Sequence, residues 1–211
     1  MAFRLLMTGD LHLGRASSRL PEHLKQEARA STVWARIVEL ALAEKVSAVL
    51  LSGDVADESN RFWEAIGPLE AGVNRLAGAG IPVLAVAGNH DHAVLGRLAD
   101  QLPREKFALL GRGGTWERFT LLSEGRAWLH VDGWSFPQAI VRASPLESYA
   151  LPADPAVPTL GLVHGDLGVA TTTYAPLDLV VLQSLPVQAW VLGHIHAPRL
   201  TESSGRPWVL M

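Results

Sequence analysis

Five short polar segments each follow an apolar run of the chain, and this pattern constrains the fold more than any other feature. The segments are, in chain order, Asp10-Leu11-His12, Gly53-Asp54, Gly88-Asn89-His90-Asp91, Val163-His164-Gly165-Asp166 and Gly193-His194-Ile195-His196. Short apolar runs bounded by glycine are typical of buried strands. In open α/β sheets, groups just beyond the carboxyl ends of the strands meet at one rim. The pattern therefore predicts that distant parts of the chain deliver polar side chains to a common site.

The spacing of apolar residues predicts alternating strands and helices in the first half of the chain. We expect strands at 3–8, 48–52 and 81–87 and helices at 24–44, 60–79 and 93–102. Gly67-Pro68 is expected to kink or split the second helix, because proline removes a backbone donor. In the second half the period changes, and we expect strands at 107–110, 116–122, 127–131, 159–163, 189–192 and 207–211. The predicted fold class is α/β, in which two packed mixed β-sheets are flanked by helices as a four-layer α-β-β-α structure.

The composition limits the classes of protein to consider. A chain of 211 residues, 48% hydrophobic and 18% charged, can bury the core of one large domain, which we expect to span 1–211. The absence of cysteine excludes disulfides and thiolate metal sites. No apolar run is long enough for a membrane span or a signal peptide, so a cytoplasmic protein without membrane contact is expected. The net charge of -3 does not indicate a nucleic-acid binder, although this count omits bound metals.

The polar segments contain more potential metal ligands than one ion needs. Two divalent ions about 3.5–4 Å apart require several oxygen or nitrogen ligands and a group that bridges them. The candidates are the carboxylates Asp10 and Asp54, the amide Asn89, and the imidazoles His12, His164, His194 and His196. Such a mixture suits Mn, Fe, Zn or Co better than Mg or Ca. On extended backbone, Asp10 and His12 would point to one side, and so would His194 and His196.

These five segments, in this order, resemble the calcineurin-like metallophosphoesterase superfamily over about residues 3–197. The opening Asp10-Leu11-His12-Leu13-Gly14 and the closing segment are most similar to the SbcD branch, whose members are bacterial DNA-repair nucleases. The resemblance implies phosphodiester hydrolysis with two divalent cations, of which Mn²⁺ is favoured over Fe, Zn, Co or Mg. It also implies DNA as substrate, an SbcC-like coiled-coil ATPase as partner, and a homodimer.

The resemblance also implies a role for each residue of the site. One metal would be held by three side chains, namely Asp10, His12 and His196. The second would be held by Asn89, His164 and His194, and Asp54 would bridge the two. His90 would lie beside the scissile phosphate and help to protonate the leaving oxygen, and Asp91 would orient the His90 ring.

Other interpretations stay open at this point. SbcD-type proteins continue beyond the Gly-His-x-His segment into a capping domain that helps to hold DNA, whereas this sequence ends at Met211. We therefore expect either a fragment or a compact relative that lacks the cap. A phosphatase or phosphodiesterase for a small molecule is the alternative enzyme. A non-catalytic scaffold is a third hypothesis, against which the complete ligand set argues.

Several residues near the motifs have two interpretations. Arg15 could contact a phosphate or be an ordinary surface arginine. His92 is better explained as a solvated residue at a helix start than as a substrate contact. Asp166 could support His164 or form a turn. Trp63 could anchor a dimer interface or pack in the core. If the metal-site interpretation were wrong, five separate segments would have to match it by coincidence.

Overall fold

The computed structural model describes residues 2–15, 29–57, 62–169, 171–201 and 208–211. Its first sheet has four parallel strands in chain order, β1 (Leu5–Thr8), β2 (Ala48–Ser52), β3 (Val83–Val86) and β4 (Phe107–Leu109). Helices α1 (Ala30–Ala43), α2 (Phe62–Gly78) and α3 (Val94–Gln101) precede β2, β3 and β4. Parallel strands linked by helices are buried on both faces. Strand β2 is accordingly buried at every residue, with Val49 and Leu51 against the helices and Leu50 against the second sheet.

The second sheet has six strands and is mixed. Its strands are β5 (Glu117–Ser123), β6 (Arg126–Trp134), β7 (Thr159–His164), β8 (Ala189–Gly193), β9 (Leu200–Thr201) and β10 (Trp208–Leu210). Their spatial order is β5-β6-β7-β8-β10-β9, with the inner strands parallel and the two edge strands antiparallel to their neighbours. Helix α4 (Leu179–Ser184) and a 3₁₀ turn (Pro145–Ser148) pack on its outer face around Trp190. The predicted four-layer arrangement of two packed sheets flanked by helices is confirmed.

Some predicted elements differ from the structure. Arg29 has extended backbone, so α1 begins at Ala30, and the earlier part of the helix predicted from 24 lies outside the described residues. Helix α2 is not split, because Pro68 lies inside one continuous helix. Burial of apolar residues such as Leu69 and Val73 outweighs the proline penalty of about 3 kcal/mol. The sequence pattern missed α4 and β9, which are too short to show a period.

The carboxyl ends of the parallel strands meet where the two sheets pack together. At the end of β7, His164 donates a hydrogen bond from Nδ1 to the carbonyl of Ser52 at the end of β2, with a distance of 2.9 Å. A Cβ atom on Gly193, at the end of β8, would overlap the same carbonyl. The rim predicted from the sequence is therefore formed jointly by both sheets. Within the described ranges, no helix is long and apolar enough to cross a membrane.

We expect Gly161→Ala to destabilise the fold, because a Cβ at this position of β7 would overlap the fully buried ring of Trp190. Overpacking of this kind lowers the free energy of unfolding by about 1–3 kcal/mol, which urea denaturation measures. Gly78→Ala is the matched control, since a Cβ at this exposed end of α2 meets no atom within 4 Å. Equal losses of stability in both variants would contradict the proposed packing.

Candidate metal centre

The first group of candidate ligands is Asp10, His12 and His196, whose ligand atoms all lie within 4.8 Å of one another. The loop after β1 is fixed by the loop after β2, because the Asp10 and His12 amides donate to the carbonyls of Gly53 and Asp54 at 3.0 and 2.9 Å. Asp10 and His12 have φ angles of 53° and 48°. Asp10 and His12 are therefore not on extended backbone, contrary to the prediction from the sequence, because both residues lie in the left-handed region. Their side chains converge through the turn and not through strand alternation.

The environment of the His12 Nδ1 atom indicates that this first group is suited to bind an ion. The atom is buried and has no hydrogen-bond partner within the part of the chain that the structure describes. A buried polar nitrogen without a partner is costly, and such atoms mark sites of ligands or ions. Burial lowers the pKa of His12, against the opposing influence of Asp54 and Asp10, so the ring favours its neutral form. A neutral imidazole beside carboxylates fits a divalent cation.

The second group is Asp54, His164 and His194, whose ligand atoms also lie within 4.8 Å of one another. The Nε2 atom of His164 lies 3.3 Å from Asp54 Oδ2, 3.3 Å from His194 Nδ1 and 3.2 Å from the Oδ1 atom of Asn89. Because Nδ1 of His164 donates to a backbone carbonyl, Nε2 of the neutral ring presents a lone pair. Four electron-rich atoms thus face one another in a buried position, and either a proton or a cation must lie among them.

The charges of this second group follow from its contacts. Burial raises the pKa of Asp54, but the hydrogen bond and charge of His164 outweigh it and lower this pKa to about 2. Burial lowers the pKa of His164, but the hydrogen bond to Asp54 and the charge of Asp54 outweigh this effect, so the pKa is raised. The pKa of His194 is lowered, first by burial and then by His164. A proton on His164 and a metal therefore compete for one lone pair, which fits a cation site.

Backbone contacts link the two groups into one centre. Both carboxylate oxygens of Asp10 accept from the His194 amide, at 3.1 and 3.0 Å. Asp54 lies within electrostatic reach of His12 as well as in contact with His164. This location suits the bridging role predicted for Asp54. All seven predicted ligands, Asp10, His12, Asp54, Asn89, His164, His194 and His196, thus lie at one rim; that each of them binds metal stays a prediction.

The predicted pairing of Asp91 with the His90 ring needs correction. His90 is exposed and its ring packs on His12, with centroids 5.2 Å apart. Asp91 is fully buried, and its carboxylate accepts from the amides of Gly88 at 2.7 Å, Val55 at 2.7 Å and Ala56 at 3.3 Å. Both oxygens are therefore occupied by backbone donors. Asp91 ties the loop after β3 to the loop after β2 and so positions Asn89 and Asp54.

The two buried carboxylates have opposite electrostatic character. Burial raises the pKa of Asp91 to about 7, the charge of Asp54 adds to this effect, and the backbone donors oppose it. The pKa of Asp54 is instead lowered to about 2. Neighbouring carboxyl groups whose pKa values are pushed apart have different tasks. Asp54 is thus the ionised partner at the centre, and Asp91 is the structural anchor.

The sequence did not identify the correct partner of Asp166. Its Oδ1 atom lies 3.2 Å from Nε2 of His194 and not beside His164, and its other oxygen accepts from Thr172. The ring of Tyr174 packs on His194 from another side, with centroids 5.0 Å apart. A carboxylate on the outer nitrogen of an imidazole fixes the ring and its tautomer. No local pattern in the sequence indicates these contacts, because they depend on how the loop after β7 folds back.

Two other predicted residues lie at the edge of the centre. Arg15 is exposed, and its amide donates a hydrogen bond to the carbonyl of His12. The contact of its side chain with a phosphate stays a prediction. Nδ1 of His92 donates to the carbonyl of Asn89 at 3.3 Å, so this residue helps to hold the ligand loop. The side chain of Trp63 lies outside the described part of the structure.

Comparison with known proteins assigns the class to which this site belongs. Residues 3–198 match the family model described as calcineurin-like phosphoesterase, and the chain therefore belongs to this family. The family is one of metal-dependent phosphoesterases, and its members use a dimetal centre. The two groups of candidate ligands lie where such a centre is expected, at the carboxyl ends of the parallel strands.

Relatives by sequence include two proteins of greater length. The uncharacterized metallophosphoesterase YhaO of Bacillus subtilis is 29% identical over 194 residues, which cover 89% of this chain and 47% of YhaO. The DNA double-strand break repair protein Mre11 of Haloferax volcanii is 37% identical over 111 residues, which cover 52% of this chain and 24% of that protein. The matched segment therefore spans less than half the length of either relative.

Solved structures share the fold at low sequence identity. A dimetal phosphatase from Danio rerio has a TM-score of 0.59 and 13% identity, and the match covers 99% of this chain and 86% of that one. The protein TT1561 of Thermus thermophilus has a TM-score of 0.57 and 16% identity, with 99% and 88% covered. These likenesses establish the two-sheet architecture and no substrate.

We expect Mn²⁺ to stabilise the protein through both groups of ligands. At a hundredfold excess over Kd, one site contributes about 2.7 kcal/mol, which raises the thermal midpoint of a chain of this size by about 5–10 °C. Asp54→Ala should abolish the shift, because Asp54 lies at the junction of the two groups. His90→Ala is the control, since this exposed ring is not a predicted ligand. A full shift in Asp54→Ala, or its loss in His90→Ala, would contradict the assigned ligands.

Proposed function

We propose that the chain is a two-metal phosphodiesterase that cuts DNA and is related to the SbcD-type repair nucleases. Divalent ions held by the candidate ligands would supply an activated water and would neutralise charge on the phosphate, as in the chemistry of the family. The observation that carries the proposal is the convergence of seven nitrogen and oxygen ligands at one rim of the fold. A homodimer and an SbcC-like coiled-coil ATPase belong to the same proposal.

The shape of the centre supports an extended substrate. The side chain of His164 is fully buried and that of Asp54 is 3% exposed, whereas the side chain of His196 is 60% exposed and His90 is also exposed. Among the described residues, the candidate ligands therefore form a buried floor that is open to solvent beside His90 and His196. A phosphodiester in the middle of a long strand needs such access, because both of its neighbours must continue away from the site. A partial likeness to Mre11 proteins of Haloferax volcanii and Saccharolobus solfataricus supports the same substrate class.

His90 is the residue that we propose to act on the leaving group. Its ring is exposed beside His12, while its amide donates to Asp54 Oδ1 at 2.9 Å. The backbone of His90 is thus fixed to the centre and the ring faces incoming substrate. An imidazole in this position can stabilise charge on the phosphate and donate a proton to the departing oxygen. The buried Asp91 acts indirectly, through the loop that carries His90.

We expect Mn²⁺-loaded protein to cut linear single- or double-stranded DNA. His90→Ala should retain two metals per chain and lose activity by about 10²–10⁴-fold, because only proton transfer and charge stabilisation are removed. Asp54→Ala should lose both metal and turnover. Metal analysis of each purified variant, combined with gel assays on end-labelled DNA, measures these effects. Equal loss of metal in both variants would contradict the assigned roles.

A panel of substrates separates this proposal from the other enzyme. The panel compares linear DNA with cyclic nucleotides and aryl phosphates, all with Mn²⁺. Cutting of DNA supports the nuclease, whereas hydrolysis confined to the small esters would replace it by a small-molecule phosphodiesterase or phosphatase. Metal-loaded protein that hydrolyses none of them would favour the scaffold.

A further inference from the structure

A cavity of about 290 Å³ is lined by Ala87 and His92, which lie on either side of the loop that carries Asn89 and His90. Two residues form both a wall of this cavity and a support of the centre. The ring of Phe136 lies edge-on to the ring of His164, with centroids 5.7 Å apart. His92 lines the cavity and donates to the Asn89 carbonyl at 3.3 Å. The cavity therefore begins one side chain away from the metal ligands.

Two arginines and one carboxylate line this flanking cavity, namely Arg97, Arg112 and Asp100. Arg112 makes a two-point ion pair with Asp100, with distances of 2.6 and 3.4 Å. The pair is open to solvent, since the side chains of Arg112 and Asp100 are 49% and 62% exposed. A guanidinium has five N–H donors and Asp100 occupies two of its nitrogens, so donors remain for another acceptor. Asp100 offsets the charge of Arg112, and Arg97 adds a second positive charge to the lining of the cavity.

Glycines surround Arg112 both in the chain and in space. Arg112 follows Gly111 and precedes Gly113 and Gly114, which have φ angles of 70°, 76° and 79°. Gly96 of helix α3 lies next to the Arg112 guanidinium, and a Cβ at Gly96 would come within 3.1 Å of Arg112 Nη2. Glycine in a helix costs about 1 kcal/mol relative to alanine. A residue with low helix propensity therefore occupies the position at which a larger side chain would crowd the guanidinium.

We propose that this flanking cavity binds the phosphate next to the scissile phosphate of a polynucleotide, with Arg112 as the principal donor. This inference rests on the proposed nuclease function and adds a way to recognise its substrate. Guanidinium groups bind phosphate through paired hydrogen bonds. A polynucleotide always presents a second phosphate near the first, whereas a simple monophosphate does not. Asp100 holds the Arg112 side chain in place and competes with the phosphate for its donors.

The test measures binding and does not depend on turnover. Calorimetric titration of Mn²⁺-loaded protein compares thymidine 3′,5′-bisphosphate with thymidine 5′-monophosphate and thymidine 3′-monophosphate. The wild-type protein should bind the bisphosphate about 10–100-fold more tightly than the better monophosphate, as expected for hydrogen bonds to a charged group. Arg112→Gln should reduce this ratio to near one. Arg126→Gln removes an exposed arginine of β6 outside the cavity and should leave the ratio unchanged.

A second variant distinguishes a phosphate site from a structural ion pair. Asp100→Asn removes the competing carboxylate and should raise the ratio, whereas Arg112→Gln lowers it. If the pair only stabilised the fold, neither variant would change the ratio, although both would lower the thermal midpoint. A wild-type ratio near one, or a ratio that survives Arg112→Gln, would overturn the inference even if the protein cuts DNA. Opposite changes in the two variants, in a protein that cuts no DNA, would support the subsite and refute the nuclease.

Discussion

The Nε2 atom of His164 is the point on which the rest of the site depends. The other ring nitrogen, Nδ1, donates a hydrogen bond to the carbonyl of Ser52, and this bond fixes the orientation of the buried ring. Oxygen atoms of Asp54 and Asn89 and a nitrogen of His194 surround Nε2 at 3.2–3.3 Å. Such atoms repel one another in a buried site unless a proton or a cation lies between them. The hydrogen bond also joins the two sheets, because it runs from the end of β7 to the end of β2.

Strained backbone brings the other ligands to this point. Asp10, His12, Asp54 and His194 all have positive φ angles, between 48° and 97°. Residues other than glycine rarely adopt this backbone conformation, and each residue that does so lowers the stability of the fold by about 1–3 kcal/mol. Hydrogen bonds between the loops offset the strain, above all those that Asp91 accepts from three amides. The same buried carboxylate therefore holds in place the loops that carry His90, Asn89 and Asp54.

The sequence could predict the sheet and its rim because of simple physical rules. Strands such as β2 and β3 are buried on both faces, and their sequences are therefore continuous apolar runs. Because these strands are parallel, the polar residues that follow them lie at the same edge of the sheet. The sequence could not predict contacts that depend on how loops fold over one another. The partner of Asp166 proved to be His194, and Asp91 proved to bind backbone amides, although neighbouring residues in the sequence suggested other partners. The sequence did not predict the positive φ angles at ligand positions either, since the enrichment of aspartate and histidine in the left-handed region is too weak to single out individual residues.

In our proposals, the open side of the centre and the cavity lined by Arg112 both contact a chain of linked phosphates. Both depend on the claim that a pair of cations occupies the rim. Anomalous X-ray diffraction from crystals grown with Mn²⁺ tests this claim most directly. Our account predicts two peaks, one within coordination distance of His164 Nε2 and Asn89 Oδ1 and the other beside Asp10 and His12. A map without a peak at His164, or with ordered Mn²⁺ only elsewhere on the molecule, would contradict it.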